Sequence, residues 1–202
     1  MRVEVIQELD PDDPQLEIPW ASPAEPRLGY VDLKRFPEEV ADLQECRQHP
    51  PLAVLVRRIN RPESSFRSAK CDVWATTELA DDERLDFDMP FKLASYVDLL
   101  FDHPELRSDL EQHLKLGERI GQSLRALRVQ AQMEIAVRRC LFHPEERWGY
   151  YLTIFVHGYG ATTAEAEAEW QCALEALGES LETIEQTLRK PGGGYSLWVE
   201  TG

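Results

Sequence analysis

The run Tyr150-Tyr151-Leu152-Thr153-Ile154-Phe155-Val156 reads apolar on both faces and is rich in β-branched and aromatic side chains. Such a segment is satisfied as a central strand, paired on both edges and covered on both sides. A chain containing it must supply neighbouring strands and at least one covering layer. The next segment supplies a cover. From Ala164 to Arg189, Trp170, Leu174, Leu177, Leu181, Ile184 and Leu188 recur at spacings of 4, 3, 4, 3 and 4, which predicts one long helix. Pro191 and three glycines end it, and Tyr195–Val199 alternates like a last strand.

The remaining segments are read the same way. Val3–Leu9 alternates weakly and predicts a short strand. Residues 10–29 hold Pro11, Pro14, Pro19, Pro23 and Pro26, whose fixed φ and missing donors exclude helix and interior strand. This is an extended arm, with Trp20 the side chain suited to pin it down. Pro37–Gln48 predicts a helix burying Val40, Leu43 and Cys46, stopped by His49-Pro50-Pro51. Leu52–Val56 is apolar throughout and reads as a second central strand. Cys71–Thr76 alternates and pairs with it as a hairpin. Residues 91–141 read as helical, with Leu93, Val97 and Leu100 as a first stripe, a break at His103-Pro104-Glu105, and Ile120, Leu124, Leu127 and Ala131 as a second. The expectation is a strand and proline-rich arm over 1–29, then one α+β domain over 30–202. Its sheet is mixed, of four to five strands with helices packed against it, a two-layer sandwich related to the ferredoxin-like fold.

Charge narrows the partners. A formal charge of −15 repels nucleic-acid phosphates and anionic membrane surfaces. No apolar run approaches the roughly 20 residues of a membrane helix. The acidic start, MRVEVIQELDPDD, lacks the apolar core of a signal peptide. Cys46, Cys71, Cys140 and Cys172 stand more than 20 residues apart, so no CxxC pair exists to chelate zinc or exchange disulfides. These features predict a cytoplasmic protein with reduced thiols, no cofactor, and no nucleic-acid or membrane partner.

Five features can carry chemistry. Phe155-Val156-His157-Gly158-Tyr159-Gly160 ends a strand just before a helix. Over about ten residues it resembles the segment of α/β-hydrolases in which a His-Gly stretch supplies an oxyanion-hole amide. That family's G-x-S-x-G pentapeptide does not occur here and no histidine follows Gly160, so the resemblance assigns no catalytic residue. His157, Gly158 and Gly160 remain candidates for a loop that takes a small anion. Thr162-Thr163-Ala164-Glu165 reads as a capping box for the helix that follows. Arg57, Arg58, Arg61, Arg67 and Lys70 form a basic island opposed only by Glu63; Arg57 and Arg58 could join that anion site or pair with glutamates. The acidic stretch Glu78–Asp88 departs from the EF-hand pattern and reads as a solvated loop, with no metal assigned. His103-Pro104-Glu105 and His143-Pro144-Glu145 both read as helix openers. The long helix carries seven glutamates and no cation between Ala164 and Glu185, so its seam is expected to pack on the sheet rather than on its own copy.

With no nucleophile, metal cage or phosphate loop in sight, the sequence points to a non-catalytic module that binds a protein partner or itself, a homodimer being one form. The alternative is a small-ligand binder or small enzyme using the His157–Gly160 loop.

Overall fold

The computed structural model describes residues 1–25 and 28–188. Six strands form one mixed sheet: β1 (Arg2–Glu8), β2 (Gln15–Ile18), β3 (Phe66–Thr76), β4 (Phe91–Phe101), β5 (Ala131–Phe142) and β6 (Arg147–Gly160). The spatial order is β1-β5-β6-β4-β3, with β2 extending the β1 edge along β5. β1 and β2 run parallel to β5, and every other pairing is antiparallel. The fold is α+β as expected, with six strands instead of four or five. β6 contains Tyr150–Val156 and sits between β5 and β4, the central position its composition demands.

One face of the sheet carries the helices. These are α2 (Pro50–Ile59), α5 (Leu110–Leu124) and α6 (Thr163–Leu188), with a 3-10 turn at Pro37–Ala41 and a short α1 (Gln44–Gln48) leading into α2. Along β6, Leu152, Ile154 and Val156 point into this layer, against Leu174, Leu177 and Leu181 of α6 and Ile120 of α5. Trp170 is wholly buried and donates from Nε1 to Ser95 Oγ at 2.8 Å. The long-helix seam therefore faces the sheet. Half of the expected capping box is present: Thr162 Oγ1 accepts from the Glu165 amide, while Glu165 Oε2 accepts from the Ala161 amide, one residue before the Thr162 amide of the full box.

Several expectations fail for identifiable reasons. Leu52–Val56 is helical. Pro50 and Pro51 occupy the first two helical positions, where a missing N–H costs nothing, so they open α2 instead of blocking it. Leu52, Ala53, Leu55, Val56 and Ile59 are then its buried stripe. β3 accordingly pairs with β4 and not with residues 52–56. The predicted helix over 37–48 divides into the 3-10 turn and α1. Within 91–141 only α4 (Pro104–Arg107) and α5 are helical. Phe91, Leu93, Val97, Leu99 and Phe101 fit a period of two as well as Leu93, Val97 and Leu100 fit 3.6, and strand neighbours decide the matter. The second His-Pro-Glu fragment is the β5–β6 hairpin turn, not a helix start. The acidic stretch folds as α3 (Asp81–Phe87). The strand expected at Tyr195–Val199 lies outside the described residues. Among those residues no helix is long and apolar enough to cross a membrane.

A candidate binding face on the strapped side of the sheet

Among the described residues, the opposite face is covered only at its two ends. At one end the N-terminal arm crosses it. Leu16 and Ile18 of β2 pack on Leu100, Cys140, Phe142 and Tyr151, and Trp20 carries the chain over to β3. There the Trp20 Nε1 donates to Ala69 O at 2.8 Å, and Lys70 Nζ lies 4.5 Å from the indole centre. Trp20 is thus the pin its position in the arm suggested. At the other end α3 forms a second strap. Phe87 stacks on Tyr159 at 3.9 Å and 10°. Glu83 accepts from Lys92 Nζ (2.8 Å), the Tyr159 hydroxyl (2.7 Å) and the Ala80 amide (2.9 Å). Burial alone would raise the Glu83 carboxyl, but these donors hold it below the ordinary value. Asp86 pairs with Arg2 of β1. The acidic stretch is therefore a fastened helix whose carboxylates serve different partners. Among the described residues no cluster of metal-ligating side chains occurs.

Between the straps the strand register sets out rows of side chains across five strands. One row runs Asp72, Tyr96, Phe155, Glu134, Glu4. A second runs Trp74, Ala94, His157, Gln132, Arg2. A third runs Asp98, Thr153, Ala136, Ile6. The rings form a continuous surface: Trp74 to Tyr96 at 6.4 Å, Tyr96 to Phe155 at 5.9 Å, and Phe155 to His157 at 6.4 Å between centroids. Trp74 is 38% exposed, which is high for an indole on a sheet.

Electrostatics here are distinctive. Asp98 is almost fully buried and accepts from Thr153 Oγ1 at 2.7 Å. Burial pushes its carboxyl up to about 6, against the Thr153 hydrogen bond and the charges of Lys70 and Arg138. Arg138 donates to Glu8 Oε2 (2.5 Å) and Thr153 Oγ1 (3.0 Å), with its guanidinium 5.4 Å from the Phe155 centre. Glu134 is raised by burial and by repulsion from Glu8 and Glu4. His157 is pulled down to about 4 by burial and by Lys92, opposed by Glu83. Its Nδ1 is 3.7 Å from Glu83 Oε1 and makes no hydrogen bond. A neutral imidazole with so low a proton affinity and no orienting partner is a poor general base at neutral pH.

The sequence-predicted site residues do not converge. Residues 157–160 are the last four of β6, in the ladder with β4, and not a loop. Gly158 and Gly160 serve packing. A Cβ on Gly158 would lie 2.4 Å from Ala166 O and from Trp170 N, and one on Gly160 2.4 Å from Ala166 N. Glycine lets the first turns of α6 rest directly on the strand, which leaves no room for an anion between them. Arg57 and Arg58 lie in the helical layer: Arg58 reaches Glu182 at 3.7 Å, and Arg57 is exposed on α2. His157 faces the other side of the sheet. Of the rest of the basic island, Arg61 pairs with Glu182 and Arg67 with Asp102, each at 2.8 Å, and Lys70 lies over the Trp20 ring.

The aromatic rows are hidden in the sequence because Leu93, Val97 and Leu100 fit a helical period, which scatters Tyr96 and Asp98 around a cylinder. The available signal is the alternate set in the strands, with Tyr96 and Asp98 on either side of Val97, and Phe155 and His157 on either side of Val156. Comparison with family models, curated proteins and solved structures returned no match to this chain.

Proposed function

We propose that the protein is a non-catalytic binding module that docks another protein on the strapped face of its sheet. The observation that carries this reading is the aromatic surface Trp74–Tyr96–Phe155, left open between two straps that fasten the rest of that face. Tyrosine and tryptophan combine large contact area with few rotatable bonds, and they are enriched at interface centres. Asp98 is buried with its carboxyl engaged by Thr153 Oγ1 at 2.7 Å, and His157 Nδ1 makes no hydrogen bond, which favours binding over chemistry. The four cysteines are free thiols, and a reducing, cytoplasmic setting belongs to the same reading.

A second reading, self-association, is favoured by one feature of the helical layer. A groove of about 410 Å³ runs between α2 and α6, floored by Leu55 and Leu174 and flanked by Val54, which is 46% exposed. Arg58, Glu167 and Glu175 line it, a cation and two carboxylates that a second copy would meet in reverse across a two-fold axis.

A photo-crosslinking residue placed at Trp74, and in a separate variant at Val54, tests both. A discrete heterologous adduct from position 74 supports the docking face. An adduct of twice the chain mass from position 54 supports the dimer. If position 74 yields no protein adduct in cells while position 54 does, the docking reading fails.

A further inference from the structure

The docking face has a sign as well as a shape. We infer that its occupant is a cationic, arginine-bearing segment of another protein, laid across the sheet with a guanidinium on the Tyr96–Phe155 pair. This rests on the reading of that face as the docking surface. The central row begins and ends in carboxylates, Asp72 at one edge and Glu134 with Glu4 at the other, and Asp98 lies beside it in the neighbouring row. The two guanidiniums on the face are already matched, Arg2 with Glu4 at 2.8 Å and Arg138 with Glu8 at 2.5 Å. Asp72 and Glu134 are therefore left as the charge that no cation of the face matches, flanking the half-buried Tyr96 and Phe155 rings, while Asp98 is buried and engaged by Thr153.

The chain's own contacts show what such rings accept. Arg138 lies over Phe155, and Lys70 lies over Trp20, at the rim of the same face. A cation is drawn to the negative face of an aromatic ring, and guanidinium, planar and weakly hydrated, stacks there better than ammonium. An anionic occupant meets the opposite field. Polyphosphate chains and acidic lipid headgroups would be repelled by Asp72 and Glu134 and by the overall charge of −15.

Size selects a segment over a flat domain surface. Five strands span about 19 Å, room for roughly six residues in extended form. A standard interface needs about 800 Å² per partner, so this face is the anchoring centre of a contact whose remainder spreads over the straps.

The probes are octa-arginine, octa-lysine and a neutral Gly-Ser octapeptide, titrated calorimetrically at 0.15 M salt, with hydrogen exchange reading the footprint. Octa-arginine is expected to bind saturably, several-fold tighter than octa-lysine, and to protect residues 72–74, 94–98 and 153–157. Replacing both rings without changing charge, Tyr96→Leu with Phe155→Leu, is expected to weaken it about tenfold. Asp72→Asn with Glu134→Gln should do the same. Removing two charges elsewhere, Glu175→Gln with Glu179→Gln on the exposed side of α6, should change affinity less than twofold. Thermal melts keep the comparison to folded variants, and the Asp72–Glu134 pair gives the answer if the ring variant is unfolded. Equal losses from the α6 pair, or protection spread over α6, would mean diffuse attraction and overturn the proposal. Neutral peptide protecting the same face as strongly would overturn the cationic occupant while leaving the docking face standing. No protection of the face by any probe, together with no adduct from position 74, would remove both.

Discussion

The two faces of this sheet are built from the same strands and have opposite characters. Along β6, Leu152, Ile154 and Val156 enter a closed aliphatic layer, while Thr153, Phe155 and His157 face a surface of rings and carboxylates. The helical face is filled by three helices, to the point that Gly158 and Gly160 are needed to let α6 approach. Among the described residues, the other is closed at its ends by an arm and one short helix and left open between. The contrast separates two tasks. Stability is concentrated where packing is complete, and the partly open face is free to hold residues, such as an exposed Trp74 and a buried Asp98, that a packed core would not tolerate.

The strongest way to break the comparison is at the packed face. Gly158→Ala places a Cβ against the α6 backbone and should destabilise the protein by about 3 kcal/mol or more in urea unfolding. Ile154→Ala, which empties space in the same layer, should cost about 3–4 kcal/mol, whereas Phe155→Ala, one residue along on the strapped face, should cost about 1 kcal/mol. Equal losses at 154 and 155 would mean that both faces are load-sharing cores.

Next is Asp98. Its carboxyl is raised from 3.8 to about 6 on folding, so the folded state binds more protons than the unfolded chain between those values, and stability is lost as pH rises through the window. Asp98→Asn should therefore stabilise the protein at pH 7.5, by about 3 kcal/mol at most, and the gain should vanish near pH 4. The helical face gives the opposite sign. Burial pulls His113 down to about 4 from 6.5, so the folded state binds fewer protons there and stability falls as pH falls from 6.5 towards 4. Melts of His113→Leu against pH should lose that acid-side slope.

Smaller effects concern the straps. Lys92→Met leaves the buried Glu83 carboxylate with two donors instead of three and should cost about 2 kcal/mol, with faster amide exchange confined to α3 and its neighbours. Trp20→Phe removes the hydrogen bond to Ala69 and weakens the contact with Lys70. About 1 kcal/mol is expected, read as a lowered melting temperature with the helical face unchanged in exchange.

The sequence by itself determined the elements whose pattern is long and unambiguous. The α6 seam from Trp170 to Ile184, its capping residues, the central strand through Tyr150–Val156 and the Trp20 pin all follow from local periodicity, proline geometry and side-chain chemistry. Tertiary structure alone decided Leu52–Val56, where a short apolar run suits either period, and residues 91–101, where strand neighbours outweigh a helical spacing. It decided the binding face too. The row Asp72–Tyr96–Phe155–Glu134–Glu4 draws one residue from each of five strands separated by up to 151 positions in the chain. Local propensity acts over a few residues, whereas a row across a sheet exists only after register and strand order are set by non-local pairing.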